Sequence, residues 1–75
     1  MSKALNAIRK GLKQDNPEVE IYRHQSGYYY FTGRRGVFFG SIHVWLLDEG
    51  DVNWVLKYAA SERDKYAHLY EDKVS

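Results

Sequence analysis

Residues 27–33 read Gly-Tyr-Tyr-Tyr-Phe-Thr-Gly, and no other stretch of this chain limits the fold as much. Four consecutive rings between two glycines suit an extended strand, since aromatic residues have high strand propensity and glycines punctuate strands. Neighbouring side chains of a strand point to opposite faces. Tyr28 and Tyr30 therefore share one face, and Tyr29 and Phe31 the other. One pair can build a core, and the other needs a reason to lie outside it.

The preceding residues supply the pairing strand. In Glu18–His24 the side chains alternate, with Val19 and Ile21 on one side and Glu20, Tyr22 and His24 on the other. Gln25-Ser26-Gly27 is a turn signal. A three-residue loop sets His24 opposite Tyr28, Tyr22 opposite Tyr30 and Glu20 opposite Thr32, leaving Val19, Ile21, Tyr29 and Phe31 on the reverse face. A two-residue Ser26-Gly27 turn is the commoner hairpin connection, but it sets Ile21 against Thr32 and mixes the faces. A slip of one residue inverts every side chain. The three-residue register is preferred because it sorts the faces.

Gly33-Arg34-Arg35-Gly36 reads as a second tight connection. Residues 37–47, VFFGSIHVWLL, then read as a third strand, bent or bulged at Gly40-Ser41. Past the bend Ile42, Val44 and Leu46 share one face, and His43, Trp45 and Leu47 the other.

Helices flank this meander. Ala4, Leu5, Ile8 and Leu12 fall on one stripe of a helix over residues 3–14, with Ser2 as its N-cap. Gly11 weakens that helix by about 0.8–1 kcal/mol relative to alanine, and Asn16-Pro17 ends it. A second helix begins near Asp48 or Asp51. With Asp48 as N-cap, Asp51 stands at N3, and Leu47 and Val52 form a hydrophobic staple. Its apolar stripe runs through Val52, Val55, Leu56, Ala59, Glu62, Tyr66 and Leu69, flanked by Trp54 and Tyr58. The tail from Glu71 is expected to fray. The expected class is α+β: one α-β-β-β-α domain over residues 1–75, an antiparallel meander with both helices on the face made by Val19, Ile21, Phe31, Ile42 and Val44.

That arrangement leaves one face bare, carrying Tyr22, His24, Tyr28, Tyr30, His43 and Trp45. All are rings with a polar handle. Tyr, Trp and Arg are enriched at binding hot spots, and contiguous exposed patches of this kind tend to be interaction sites. A purely structural reading stands beside this one, because cross-strand aromatic pairs stabilise a sheet by about 0.2–1 kcal/mol each. Trp45 and His43, joining the tyrosines, tilt the reading toward a partner surface. Arg34 and Arg35 at the second turn are a solvated hairpin tip or, with Lys10 and Lys13, an anion clamp beside stacking rings. The latter pairing holds single-stranded nucleic acid without reading its sequence.

Eleven basic and ten acidic side chains give a net charge of +1, against the basic excess usual for duplex binders. Cysteine is absent, which removes disulfides and thiolate metal sites. No apolar run approaches the roughly 18–20 residues needed to span a bilayer, and the N-terminus lacks a signal-peptide core, so a cytoplasmic protein is expected. His24 and His43 can approach across the open face, but nothing completes a metal shell. No nucleophile elbow or phosphate loop appears. Glu62, on the apolar stripe, is a carboxylate expected to pair with a neighbouring lysine or arginine. Neither enzyme nor cofactor is expected.

Gly27 to Phe31, Ser41 to Leu46 and Trp54 to Tyr58 resemble small uncharacterised phage and prophage proteins. Those carry a G-[YW]-Y-Y-F strand, a [ST]-[IV]-x-V-[YW]-x-L strand and a helix opening W-V-x-x-Y. The basic turn at Gly33–Gly36 departs from their pattern. The resemblance covers under half the chain, and it implies an accessory role: a small, early-expressed binder of host machinery, with blocking of host defence as one form. The leading expectation is thus a non-enzymatic interaction module that engages a host protein or a second copy of itself through the aromatic face. The alternatives are a single-stranded nucleic-acid binder and a structural or antitoxin-like piece stable only with its partner.

Overall fold

A computed structural model describes residues 3–71, without the side chains of residues 70 and 71. The expected N-cap Ser2 and most of the tail lie outside the described residues. The order is helix α1 (Lys3–Asp15), strands β1 (Glu20–Arg23) and β2 (Tyr29–Thr32), an irregular segment, helix α2 (Val52–Tyr66) and a one-turn helix α3 (His68–Glu71).

Helix α1 buries the four residues its periodicity marks, Ala4, Leu5, Ile8 and Leu12. Its Gly11 permits a close approach, since a Cβ there would stand 2.7 Å from Leu56 Cδ1 of α2. Asn16 N–H donates to Leu12 O at 2.6 Å and closes the helix before Pro17.

The hairpin takes the three-residue register. Glu20 faces Thr32, Ile21 faces Phe31, Tyr22 faces Tyr30 and Arg23 faces Tyr29. His24 N–H donates to Tyr28 O at 2.7 Å, and Gly27 N–H closes the turn on His24 O at 2.9 Å. Val19, Ile21, Tyr29 and Phe31 are buried in the same cluster as the α1 stripe and Val55 and Ala59 of α2. The two helices also pack on each other.

Among the described residues the third strand is absent: the sheet there has two strands, and the expected meander is corrected to a hairpin with one isolated bridge, Tyr29 to Ile42. Two competitors defeat strand pairing over residues 37–47. The Gly33–Gly36 turn winds on into a 3₁₀ turn, Gly36–Phe38, with Val37 N–H on Gly33 O and Phe39 N–H on Gly36 O. Next, side chains of α2 take both backbone groups of Gly40: its N–H donates to Glu62 Oε1 at 3.2 Å, and its carbonyl accepts the Tyr58 hydroxyl at 2.9 Å. Among the described residues this segment pairs with the β2 backbone at Ile42, which exchanges two bonds with Tyr29 at 2.8 and 2.9 Å. Leu47 N–H then turns to the Tyr29 hydroxyl, 3.2 Å away. The buried residues are Phe39, Ile42 and Leu47, spaced by odd intervals that no period-two strand permits. Leu46, placed by alternation with Ile42, is 60% exposed, and Leu47 is buried instead.

The start of the second helix follows the capping reading. Asp48 Oδ1 accepts Gly50 N–H at 2.8 Å, and Asp51 Oδ2 accepts Asp48 N–H at 3.0 Å, a reciprocal capping box. The first turn, Glu49–Asp51, is 3₁₀. Val55, Ala59 and Glu62 are the buried residues of α2.

Candidate functional site

The hairpin register decides which rings meet. Tyr22 and Tyr30, directly opposite, lie 6.1 Å apart between centroids. His24 and Tyr28, also opposite, stack at 4.6 Å with planes 9° apart. Tyr30 touches both His24 and Tyr28 edge-on at 6.2 Å. His43 reaches the far side of Tyr28, stacked at 5.3 Å. The result is one continuous panel on the sheet face turned from the core. Tyr28 stands between His24 and His43, so the two imidazoles do not converge on a common ligand. His24 Nδ1 is engaged by the Ser26 hydroxyl at 2.7 Å and by the Ser26 N–H at 3.0 Å. Among the described residues no cluster of three or more metal-ligating side chains forms.

Trp45 stands at the hairpin-turn end of this panel and is 77% exposed. Its ring lies over Gly27, where a Cβ would come within 3.2 Å of it. The Arg23 guanidinium sits 5.6 Å from its centroid and donates to its carbonyl oxygen at 3.4 Å. Trp45, His43 and Tyr28 line a shallow depression of about 260 Å³ beside the turn.

Arg34 and Arg35 serve another contact, beyond the Thr32 end of β2. Arg34 Nη1 lies 3.2 Å from Glu18 Oε1, and Arg35 Nε 3.2 Å from Glu18 Oε2. Arg35 N–H also donates to Glu18 O at 3.2 Å. The two arginines thus fasten the second turn to the start of β1, an explanation the hairpin-tip and anion-clamp readings both lacked. Lys10 and Lys13 lie on the exposed side of α1.

Sequence reasoning missed Arg9. From α1 its guanidinium crosses to β1, 5.2 Å from the Tyr22 centroid, and its Nε donates to Ile21 O at 3.2 Å. Only the docking of α1 on the sheet reveals this. At the same corner the Tyr22 hydroxyl donates to Glu20 Oε1. That bond, and then the carboxylate charge behind it, raises the Tyr22 pKa above its ordinary value. Glu62 finds no lysine or arginine in the described contacts. Its Oε1 accepts from Gly40 N–H and lies 3.1 Å from the Tyr58 hydroxyl, whose one proton it shares with Gly40 O. Burial, followed by this bond, raises the Tyr58 pKa. Val37 and Phe38, expected within the third strand, are exposed.

Comparison with protein-family models, with curated proteins and with solved structures returns no match. No helix among the described residues is long and apolar enough to cross a membrane.

Proposed function

We propose that this chain is a non-enzymatic interaction module that binds a protein partner through the panel of Tyr22, His24, Tyr28, Tyr30 and His43, with Trp45 as its anchor. The observation that carries this reading is the panel's Trp45 end, where a 77% exposed indole stands beside stacked Tyr28 and His43. Exposed Trp and Tyr offer large contact area at low entropic cost. Four acidic side chains have structural employment: Glu62 holds Gly40 and Tyr58, Asp48 and Asp51 cap a helix, and Glu18 ties a turn. A host protein as partner, in a phage or prophage setting, rests on the sequence resemblance alone.

A protein partner is favoured over single-stranded nucleic acid. The two arginines of that alternative already share Glu18, and Glu20 places a carboxylate at the panel's other end. The test is affinity capture from a host lysate with the wild-type chain, Trp45→Ser and Tyr30→Ser, alongside mass measurement in solution. The expected result is a specific complex that both variants lose while circular dichroism stays native. A mass above the monomer that both variants reduce identifies a second copy as the partner. Unfolding of both variants, or a complex indifferent to them, refutes the reading. Salt-dependent binding of short oligonucleotides at micromolar concentration replaces it with the nucleic-acid alternative.

A further inference from the structure

We propose that the segment bound at the Trp45 end of the panel is a proline-rich stretch flanked by a carboxylate, an inference that rests on the panel reading and names the chemistry of the occupant. The depression there, about 260 Å³, is lined by Tyr28, His43 and Trp45 with Ser26, Gly27 and Val44. It offers ring faces and no free sheet edge, since Ile42 takes both backbone groups of the neighbouring Tyr29. An added strand has no ladder to join at this point. An α-helix, about 10–12 Å across with its side chains, needs a longer groove than these six residues form. A polyproline II segment suits the site. Such segments dock in aromatic-lined grooves, and their preformed backbone has little entropy left to lose.

The polar atoms at this end fit the same occupant. Tyr22, His24, Tyr29, Trp54 and Tyr58 all bond within the chain. The Tyr28 hydroxyl, the His43 ring and the Trp45 indole N–H make no such bond among the described residues. The indole turns Cζ3 and Cε3 toward Gly27, so its N–H, on the other side of the ring, points away from the turn. An indole N–H can only donate. A polyproline II segment brings acceptors to it: its carbonyls are unbonded within the segment, and its prolines carry no N–H that docking would strip of water. Charge sets the flank. Arg34 and Arg35 share Glu18, and Arg63 meets Asp64. Arg23 has no carboxylate at ion-pair distance among the described residues, and it contacts Trp45 by its ring and carbonyl oxygen. Its remaining guanidinium donors lie where a carboxylate beside the docked prolines would meet them. Glu20 does not oppose that charge, because it sits at the far end of the panel with the Tyr22 hydroxyl.

The test uses the full chain, labelled with ¹⁵N, and three end-blocked synthetic peptides: oligoproline closed by glutamate, the same closed by glutamine, and oligoalanine closed by glutamate. The first is expected to shift the Trp45 indole resonance and the Tyr28 and His43 amides. The Trp54 indole, bonded to Asp51, is the internal control and should stay in place. The alanine peptide should bind at least about tenfold more weakly, having lost the rigid rings. The glutamine peptide should bind about two- to fivefold more weakly, as an exposed ion pair allows, and Arg23→Gln should erase that difference. Trp45→Phe keeps a ring and removes the N–H, and should weaken both proline peptides. An unmoved Trp45 indole at millimolar proline–glutamate peptide, equal affinity for the proline and alanine peptides, or equal affinity for the glutamate and glutamine peptides overturns the proposal. A complex captured from lysate that depends on Trp45 but is not competed by the proline–glutamate peptide overturns it too, and leaves the panel reading standing.

Discussion

Tyr29 is 1% exposed, yet it carries a hydroxyl that accepts the Leu47 N–H in the buried interior. Tyr29→Phe keeps the ring, the strand and both backbone bonds to Ile42, and removes only that oxygen. The net loss of a typical hydrogen bond is about 0.5–1.5 kcal/mol, and leaving the Leu47 N–H unpaired carries a desolvation penalty of about 1–3 kcal/mol. Phenylalanine is easier to bury than tyrosine, which returns part of this, so about 1–2 kcal/mol is expected. A 75-residue chain commands about 4–11 kcal/mol in total. At about 4–8 °C per kcal/mol for domains of this size, the melting temperature should fall by about 4–16 °C. Urea denaturation followed by circular dichroism gives the free energy directly, with an unchanged slope showing that the unfolded state is unaltered. Tyr30→Phe is the control: Tyr30 is half-buried on the panel, and its loss of a hydroxyl should stay within about 0.5 kcal/mol. If Tyr29→Phe is as stable as the parent, or Tyr30→Phe costs as much, the Tyr29 hydroxyl does not hold residues 42–47 to the hairpin.

Gly33 adopts φ +96°, and a Cβ there would stand 2.5 Å from Glu18 O, the backbone oxygen that accepts Arg35 N–H. Positive-φ strain of about 1–3 kcal/mol and a bond lost in relieving the clash, about 1 kcal/mol, should make Gly33→Ala about 2–4 kcal/mol less stable in urea. An unchanged midpoint would show that the turn is not fastened to β1 as described. Asp51 is held below its ordinary pKa of 3.8, first by the Trp54 indole N–H and then by the Asp48 backbone N–H. A carboxylate lowered in the fold contributes stability above its unfolded pKa and loses it as pH falls through the folded value. The Trp54 indole proton resonance should therefore shift in acid with a midpoint below 3.8, and Asp51→Asn should abolish the shift. A midpoint at or above the ordinary value would contradict the bond.

The hairpin and both long helices were legible because local signals agreed with one another. The aromatic run and EVEIYRH sort their faces in only one good register, and the Asp48/Asp51 box announces a helix start within four residues. Residues 37–47 were not legible. Val37, Phe38, Phe39, Ile42 and Val44 all favour a strand by propensity. What overrode them lies 18 and 22 residues further on, where Tyr58 and Glu62 capture the backbone of Gly40. A glycine marked the place as a bend, but nothing local says which side chains will take its groups. Glu62 stands out in the sequence as the odd charge on an apolar stripe, but its partner is a backbone N–H, which leaves no trace in composition. The pairing of Arg34 and Arg35 with Glu18 depends on the hairpin closing so that residues 16 and 17 apart meet.

The candidate panel survived the loss of the third strand, and the way it survived bears on its role. Direct cross-strand pairing explains Tyr22 with Tyr30 and His24 with Tyr28, because these positions face each other in the register. Such pairs steady a two-stranded hairpin, which is marginal alone. They would be present whether or not anything binds. His43 and Trp45 have no such explanation, since the segment that carries them pairs with β2 only at Ile42. His43 nonetheless stacks on Tyr28, and Trp45 keeps most of its surface in solvent. A chain that needed these rings only for its sheet would place an indole where a neighbouring strand covers it. The excess of aromatic surface over what pairing uses is therefore concentrated at the Trp45 end. Trp45→Ser accordingly separates the structural from the functional reading more sharply than any tyrosine replacement: losing the exposed contact with Arg23 should cost about 0.5–1 kcal/mol and leave the fold intact, while removing the partner.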